Sequence, residues 1–193
     1  MAETLNEKRE RLGTEMQVAR SKSIEAYSSL EQSLAKLLAL CVPCDSETAG
    51  TIFFRISNTR SRMAIITALL KKRYGSGHSL FWNSAEKLIR VTDNARNNVI
   101  HWQTIVNIGH DVEVNLAPPN IWGHNDDTPS LSISDLDAFA ERCHFISGTL
   151  NMFLLFLLGK LSPETHGSWH DTFRQPLDYP IPEAHPLFQK NKE

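Results

Sequence analysis

The sequence predicts an all-α fold: an up-and-down bundle of four to five helices with a small β-hairpin insertion and an extended, proline-rich C-terminal tail. Four long segments carry apolar residues at alternating spacings of three and four, which is the period of an amphipathic helix. A shorter stretch before the last of these segments has two apolar runs around a glycine, which is typical of a hairpin. Five of the nine prolines lie at or beyond Pro163, a density that favours extended structure.

The composition describes one ordinary globular domain. The chain has 193 residues, of which 41% are hydrophobic and 22% charged, with a formal net charge of -2. This length fits a single domain. Because the net charge is close to zero, any binding of nucleic acid must come from a local site rather than from the field of the whole protein.

No secretory or membrane-spanning segment is predicted. The first ten residues are polar and charged, without the apolar core of a secretory signal. The longest apolar run, Met152 to Leu158, is far shorter than the ~20 residues of a membrane span. We therefore expect a cytoplasmic protein with no membrane partner.

The first helix is predicted to begin at Thr14 and to end before Pro43. Thr14-Glu15-Met16-Gln17 matches a capping box, in which side chains satisfy the first free amides of a helix. Proline cannot continue a helix, so Pro43 stops it. Residues 1–13 are then a polar lead-in, either frayed or helical.

The second helix is predicted as one long segment from the cap at Asp45-Ser46 to Tyr74-Gly75. Its arginines and lysines suit a solvated helix face, and they also suit contact with a phosphate backbone. The third helix is predicted to start at Ser79, and its apolar stripe runs to Trp102.

The insertion spans residues 103–131. Ile105–Ile108 and Val112–Leu116 flank Gly109-His110-Asp111 and predict the hairpin. A loop follows to Pro129. This loop contains Trp122 and the acidic pair Asp126-Asp127.

The fourth helix is predicted to start at a cap around Ser134-Asp135 and to carry its stripe to Leu161. From Phe153 to Leu158 it is apolar on all sides, so this part must be covered by the bundle or by another subunit. The bundle therefore spans residues 14–162 and the tail residues 163–193. We expect His166 and His170 in a surface loop of this tail.

The cysteines predict neither a metal site nor a redox site. Cys41 and Cys44 form a C-x-x-C at the end of a predicted helix, whereas a redox motif opens one. A zinc ion would need two further ligands, and the adjacent Cys143-His144 pair lacks the usual spacing. We expect no bound metal and no cofactor.

One polar cluster lies at the end of the third predicted helix. Arg96-Asn97-Asn98-Val99-Ile100-His101 places a guanidinium, an amide and an imidazole within little more than one turn. Asn97 and His101 are i and i+4 and therefore neighbours. The apolar stripe lies on the other side of the helix, so this ridge should point away from the chain's own core and face solvent or a partner.

This arrangement resembles the HEPN family, whose nucleases carry an R-x4-6-H motif, commonly with a polar residue directly after the arginine, at the end of a helix in a four- or five-helix bundle. The matching residues are Arg96, Asn97 and His101. The resemblance covers the region of the four helical stripes, and neither the hairpin nor the tail has an assigned counterpart.

The resemblance implies a metal-independent endoribonuclease that leaves 2',3'-cyclic phosphate ends. A histidine with an ordinary pKa near ~6.5 can move the proton of a ribose 2'-hydroxyl. Arg96 would hold the phosphate, and Asn97 would orient the imidazole or donate to the phosphate. HEPN sites generally form where two domains meet, so RNA and a second copy of the chain are the expected partners.

A toxin–antitoxin, stress-response or phage-defence role would add an antitoxin or other regulatory protein as a partner. Some HEPN toxins carry a tyrosine two positions after the histidine, which their antitoxin modifies. Gln103 stands there in this chain, so silencing by that route is not expected.

Two other interpretations of the cluster stay open. Arg96, Asn97 and His101 could form a solvated polar patch, salt-bridged with Asp93. The chain could also be a catalytically inactive, dimeric HEPN module that binds a nucleotide or a protein. Trp102 belongs to the apolar stripe and is expected to pack in the core, although a tryptophan can also stack on a base.

Overall fold

The computed structural model describes residues 3–109, 111–120, 127–183 and 185. The fold is mainly helical, 69%, with one two-stranded antiparallel hairpin, which confirms the predicted all-α class with a β-hairpin insertion. In chain order the elements in these ranges are α1 (Leu5–Cys41), α2 (Ser46–Arg55), α3 (Thr59–Tyr74), α4 (Ser79–His101), β1 (Gln103–Ile108), β2 (Val112–Ala117), α5 (Ile133–Leu157) and α6 (Pro163–Thr172).

The first helix begins nine residues before the predicted start. Thr4 and Glu7 form a capping box, in which the Thr4 amide donates to the Glu7 carboxylate at 2.8 Å and the Glu7 amide donates to the Thr4 hydroxyl at 3.3 Å. Thr14 lies inside α1, and its hydroxyl donates to the Glu10 carbonyl at 2.9 Å. The predicted start at Thr14 is wrong because a second matching box lies upstream. The predicted end before Pro43 is confirmed.

The predicted second helix is two helices. Asp45 caps α2 as predicted, accepting from the Thr48 amide at 2.8 Å. The chain then leaves the helix, and Asn58 caps α3 by accepting from the Ser61 amide at 2.7 Å. The apolar period continues across this break, so periodicity alone could not reveal it. Gly75, with φ +72°, ends α3 as predicted.

The hairpin is confirmed, with β1 and β2 paired from Gln103 opposite Ala117 to Ile108 opposite Val112. Leu116 also bridges to Leu131, which leads into α5. The cap of α5 is Ser132, whose hydroxyl accepts from the Asp135 amide at 3.2 Å, and the helix therefore starts before the predicted Ser134. Gly159, with φ +64°, follows its end at Leu157, four residues short of the predicted Leu161.

The predicted extended tail begins with a helix instead. Proline occupies the first turn of α6, a position where its missing amide costs nothing. His166 and His170 therefore lie in a helix and not in a surface loop. Beyond α6 the described residues are irregular, yet Leu177 is buried and its amide donates to the Ser84 hydroxyl at 2.6 Å. His110, Trp122 and Asp126 lie outside the described residues.

The chain divides into two compact units. Unit 1 comprises Met1–Ser28 and Thr92–His144, and unit 2 comprises Ser29–Val91 and Phe145–Glu193. Each has its own buried residues. Those of unit 1 include Met16, Tyr27, Val99, Leu116, Leu136 and Cys143, and those of unit 2 include Leu37, Phe53, Ile66, Phe81, Phe153 and Phe173.

The apolar stretch at the end of α5 lies in unit 2 and is covered only in part. Phe153 and Phe156 are buried, and their rings contact Phe173. Leu158 is exposed.

Within the described residues, no helix combines the length and apolarity that crossing a membrane demands.

Two of the basic residues from the predicted second helix serve the fold of unit 2. Arg62 forms an ion pair with Glu31 and donates to the Ile56 carbonyl at 3.0 Å. Arg73 donates to the Leu40 carbonyl. These two side chains hold helix ends and connections, so they are less available to a phosphate backbone than the sequence alone indicates.

Candidate functional site

The last turns of α4 belong to unit 1 and carry the three candidate residues on one helix. Asn97 and His101 are exposed, Arg96 is half-buried and Val99 is buried. This pattern follows from the apolar stripe, which turns Val99 inward and leaves the polar ridge outside. The predicted outward direction of the Asn97–His101 ridge is therefore confirmed.

Arg96 is held by its neighbours on two sides. Its guanidinium carbon lies 5.4 Å from the centre of the Tyr27 ring on α1, within the range of a cation–π contact. Its Nη1 donates to the Asn97 side-chain oxygen at 3.3 Å. Its Nε is buried and has no hydrogen-bond partner among the described residues. The ring of Tyr27 thus stabilises the position of the guanidinium and leaves its positive charge in place.

Asp93 bonds to Tyr27 and not to Arg96. The Tyr27 hydroxyl donates to Asp93 Oδ1 at 2.5 Å. The ion pairs of the described residues do not join Asp93 to Arg96, so the salt-bridged version of the patch is wrong. The tyrosine separates the two charges: its hydroxyl binds the carboxylate and its ring faces the guanidinium. Arg96 is left with a positive charge that a phosphate can meet.

Arg20 of α1 completes the end of α4. Its Nε donates to the Val99 carbonyl at 2.8 Å and its Nη2 to the Ile100 carbonyl at 2.6 Å. The last carbonyls of a helix have no partner within the helix and carry partial negative charge, so a guanidinium here satisfies them and stabilises the final turn. Sequence reasoning missed this residue. The sequence does show a helix end without a glycine, and the last carbonyls of such a helix need a hydrogen-bond donor from elsewhere in the chain. No pattern in the sequence identifies position 20 as that donor.

His101 is the last residue of α4, and its imidazole is exposed. This side chain makes no hydrogen bond, ion pair or ring contact with any other residue that the structure describes. The turn continues one residue further, since the Trp102 amide donates to the Asn98 carbonyl at 3.0 Å. Trp102 itself is half-buried, which leaves both of its predicted roles open. His101 thus offers both ring nitrogens to a ligand or a partner.

The end of α4 carries a proton-transfer group and a cation that Tyr27 and Asn97 contact. An exposed imidazole can accept or donate a proton, and a guanidinium can bind the oxygens of an anion. The structure joins Arg96 to Asn97 directly. It records no contact between Arg96 and His101, which share a helix but no hydrogen bond.

The three cysteines form no disulfide with one another. Cys143 is buried in unit 1, and burial raises the pKa of its thiol to about 12. Cys41 and Cys44 lie at and beyond the end of α1, as predicted from the C-x-x-C. Within the described ranges, no three histidine, cysteine or acidic side chains are grouped closely enough to hold a metal ion.

No family model, curated protein or solved structure matches this chain. Its function is therefore inferred from the residues at the end of α4 and from their contacts.

Proposed function

We propose that the chain is a cytoplasmic, metal-independent endoribonuclease of the HEPN type that acts as a homodimer. The observation that carries this function is the exposed His101 imidazole at the end of α4, one turn from the Asn97 amide that accepts from Arg96. An imidazole can move the proton of a ribose hydroxyl, and an amide and a guanidinium can donate to the phosphate while charge builds on its oxygens.

In the proposed reaction, His101 takes the proton of a 2'-hydroxyl while that oxygen attacks the adjacent phosphorus. The bond from phosphorus to the 5'-oxygen breaks, and the leaving oxygen takes a proton from a second acid. The products are a 2',3'-cyclic phosphate and a 5'-hydroxyl end. Arg96 stabilises the charge that builds on the phosphate oxygens, and its fixed position over Tyr27 reduces the cost of orienting it.

The second acid is the reason for proposing a homodimer. One imidazole cannot be base and acid in the same step, and among the described residues the His101 imidazole has no hydrogen bond or ion pair with a second acid. A second copy would contribute its own His101 to the same cleft. The ridge is exposed, so it is free to meet that copy.

The test is cleavage of mixed RNA by purified protein in excess EDTA, with mapping of the product ends. We expect cyclic phosphate ends, and a loss of at least about 100-fold in rate for His101→Ala. His144→Ala is the matched control, because His144 is also an exposed helical histidine of unit 1. Equal cleavage by wild type and His101→Ala would overturn the proposal, as would a protein that stays monomeric at micromolar concentration.

The second candidate is an inactive HEPN module that binds a nucleotide or a protein. It is favoured by the packing of Arg96, whose buried Nε and contact with Tyr27 tie the side chain to the fold. In this case RNA or a nucleotide binds in an Arg96-dependent way, and no RNA is cleaved.

A stress-response, antiphage or toxin role, with an antitoxin or other regulator as partner, belongs to the first candidate. It is tested by expression of the protein with and without its neighbouring genes.

A further inference from the structure

Unit 2 contains a cavity of about 390 Å³ between the end of α3, the start of α4 and Phe153 of α5. A volume of this size lies within the range of sites for small organic molecules. The cavity belongs to unit 2, whereas the candidate ribonuclease residues belong to unit 1. It is a separate feature of the chain.

The inner wall of the cavity is apolar and aromatic. Leu70, Trp82 and Phe153 line it, and all three are buried in the fold. His78 is a fourth lining residue, and its ring lies edge-on to Phe153 at 5.5 Å between centroids. Burial lowers the pKa of His78, and its Nδ1 lies 3.1 Å from the Phe173 carbonyl. The fold therefore favours the neutral form of this imidazole, which adds an aromatic ring to the lining.

The polar groups next to the apolar lining are hydrogen-bonded. The Trp82 indole donates to the Thr67 hydroxyl at 2.7 Å, and that hydroxyl donates to Glu86 at 3.0 Å. Glu86 in turn forms an ion pair with Arg90. These hydrogen bonds fix the orientation of the Trp82 indole. The negative charge of Glu86 is balanced by Arg90. The wall is thus a preformed surface for an apolar or aromatic group.

The rim is different in chemistry from the wall. Lys71, Ser76, Ser79 and Asn83 line it, and all four are exposed. They present an ammonium group, two hydroxyls and an amide, and no acidic residue is among the described lining residues. Lys71 forms no ion pair within the described part of the chain. The site is therefore apolar inside and electropositive at its mouth.

We propose that this cavity binds a small amphipathic anion. An aromatic ring packs against Leu70, Trp82 and Phe153, and a carboxylate or a phosphate on that ring meets Lys71 at the rim. Burial of the ring supplies the affinity, and the ammonium group selects for charge. A neutral aromatic molecule of the same size lacks the second contact, and a free anion lacks the first.

The test is a titration of the intact protein, followed by the NMR signal of the Trp82 indole N–H, which Trp82→Phe identifies. The probes are indole-3-acetate for the carboxylate and phenyl phosphate for the phosphate, with indole-3-acetamide and phenol as their neutral counterparts. We expect at least one anion to shift the signal with a Kd below about 1 mM, and its neutral counterpart to bind at least about fivefold more weakly. The anion that binds identifies the acidic group.

Lys71→Gln and Lys72→Gln form the matched pair of variants. Both lysines are exposed and adjacent on α3, but only Lys71 lines the cavity. We expect Lys71→Gln to weaken the anion about fivefold or more and Lys72→Gln to leave it unchanged. Three results would each overturn the proposal: no shift with either anion up to about 5 mM, equal binding of the neutral counterpart, or equal weakening by both variants.

Discussion

Arg20 donates from Nε to the Val99 carbonyl at 2.8 Å, joining two residues 79 positions apart at the end of the helix that carries the candidate site. A second bond from the same guanidinium reaches the Ile100 carbonyl. We predict that Arg20→Met loosens the last turn of α4 and lowers the free energy of unfolding by about 2 kcal/mol, because charged hydrogen bonds to helix carbonyls are lost. Urea unfolding measures the loss. Hydrogen exchange of the Trp102 amide reports the loosened turn.

The control for this change is Lys22→Met. Lys22 lies two residues further along α1 and is exposed, with no ion pair to another described residue. The substitution removes the same charge and leaves the α4 carbonyls bonded, so we expect a change within about 0.5 kcal/mol. If the two variants unfolded at the same urea concentration, Arg20 would not stabilise this helix end.

Tyr27 separates a carboxylate from a guanidinium, and its two roles can be tested one at a time. Tyr27→Phe removes the hydroxyl that donates to Asp93 and keeps the ring beside Arg96. We predict a stability loss of about 1 kcal/mol for Tyr27→Phe, with the Arg96 function retained. Tyr27→Leu also removes the ring, so Arg96 loses its fixed position, and RNA cleavage or binding should fall further. Equal activity of the two variants would contradict a positioning role for the ring.

A local cap ahead of a periodic stripe predicts that a helix forms, but the bounds of that helix can differ from the predicted ones. Asp45 was identified as a cap, and it accepts from the Thr48 amide as expected. At Thr14 the same reasoning fails, because Thr4 and Glu7 form a capping box upstream and Thr14 lies inside a helix that has already begun. The density of prolines from Pro163 onward predicts extended structure and so misses the helix there, because proline in the first turn of a helix is favourable.

For the candidate site, the sequence predicts the helix face but not the supporting contacts. The stripe places Asn97 and His101 outside because helical geometry determines which side chains share a face. Arg20 and Tyr27 reach α4 from α1, and such contacts depend on how helices pack within unit 1. Sequence periodicity contains no information about which residue of a second helix lies opposite.

Asn58 provides a test of the break between α2 and α3. Its side chain accepts a hydrogen bond from the Ser61 amide at 2.7 Å and caps the start of α3. We predict that Asn58→Ala lowers the free energy of unfolding by about 1 kcal/mol, whereas Asn58→Asp retains it, since both amide and carboxylate oxygens cap a helix. Urea unfolding again measures both. If Asn58→Ala had the same free energy of unfolding as the wild type, the bond from Arg62 to the Ile56 carbonyl would be sufficient to stabilise the connection between α2 and α3.

Two histidines of unit 2 make its stability depend on pH. Burial lowers the pKa of His78 and of His185 below the ordinary value near ~6.5, so the folded chain favours both imidazoles neutral. The unfolded chain then binds more protons than the folded chain at mildly acidic pH. We therefore predict that the contribution of these two histidines to the free energy of unfolding is constant above about pH 7.5 and falls as the pH drops through the ordinary histidine pKa, levelling off below the folded values.

This dependence can be assigned by substitution. His78→Gln keeps a donor for the Phe173 carbonyl but cannot titrate, so its urea midpoint should fall less between pH 7.5 and pH 5 than that of the wild type. The carboxylates whose pKa is lowered, such as Asp45 and Asp135, lose their contribution only in more acidic solution, because their stabilisation disappears as the pH falls through carboxyl pKa values. A wild-type slope retained in both His78→Gln and His185→Gln would show that neither buried imidazole is its source.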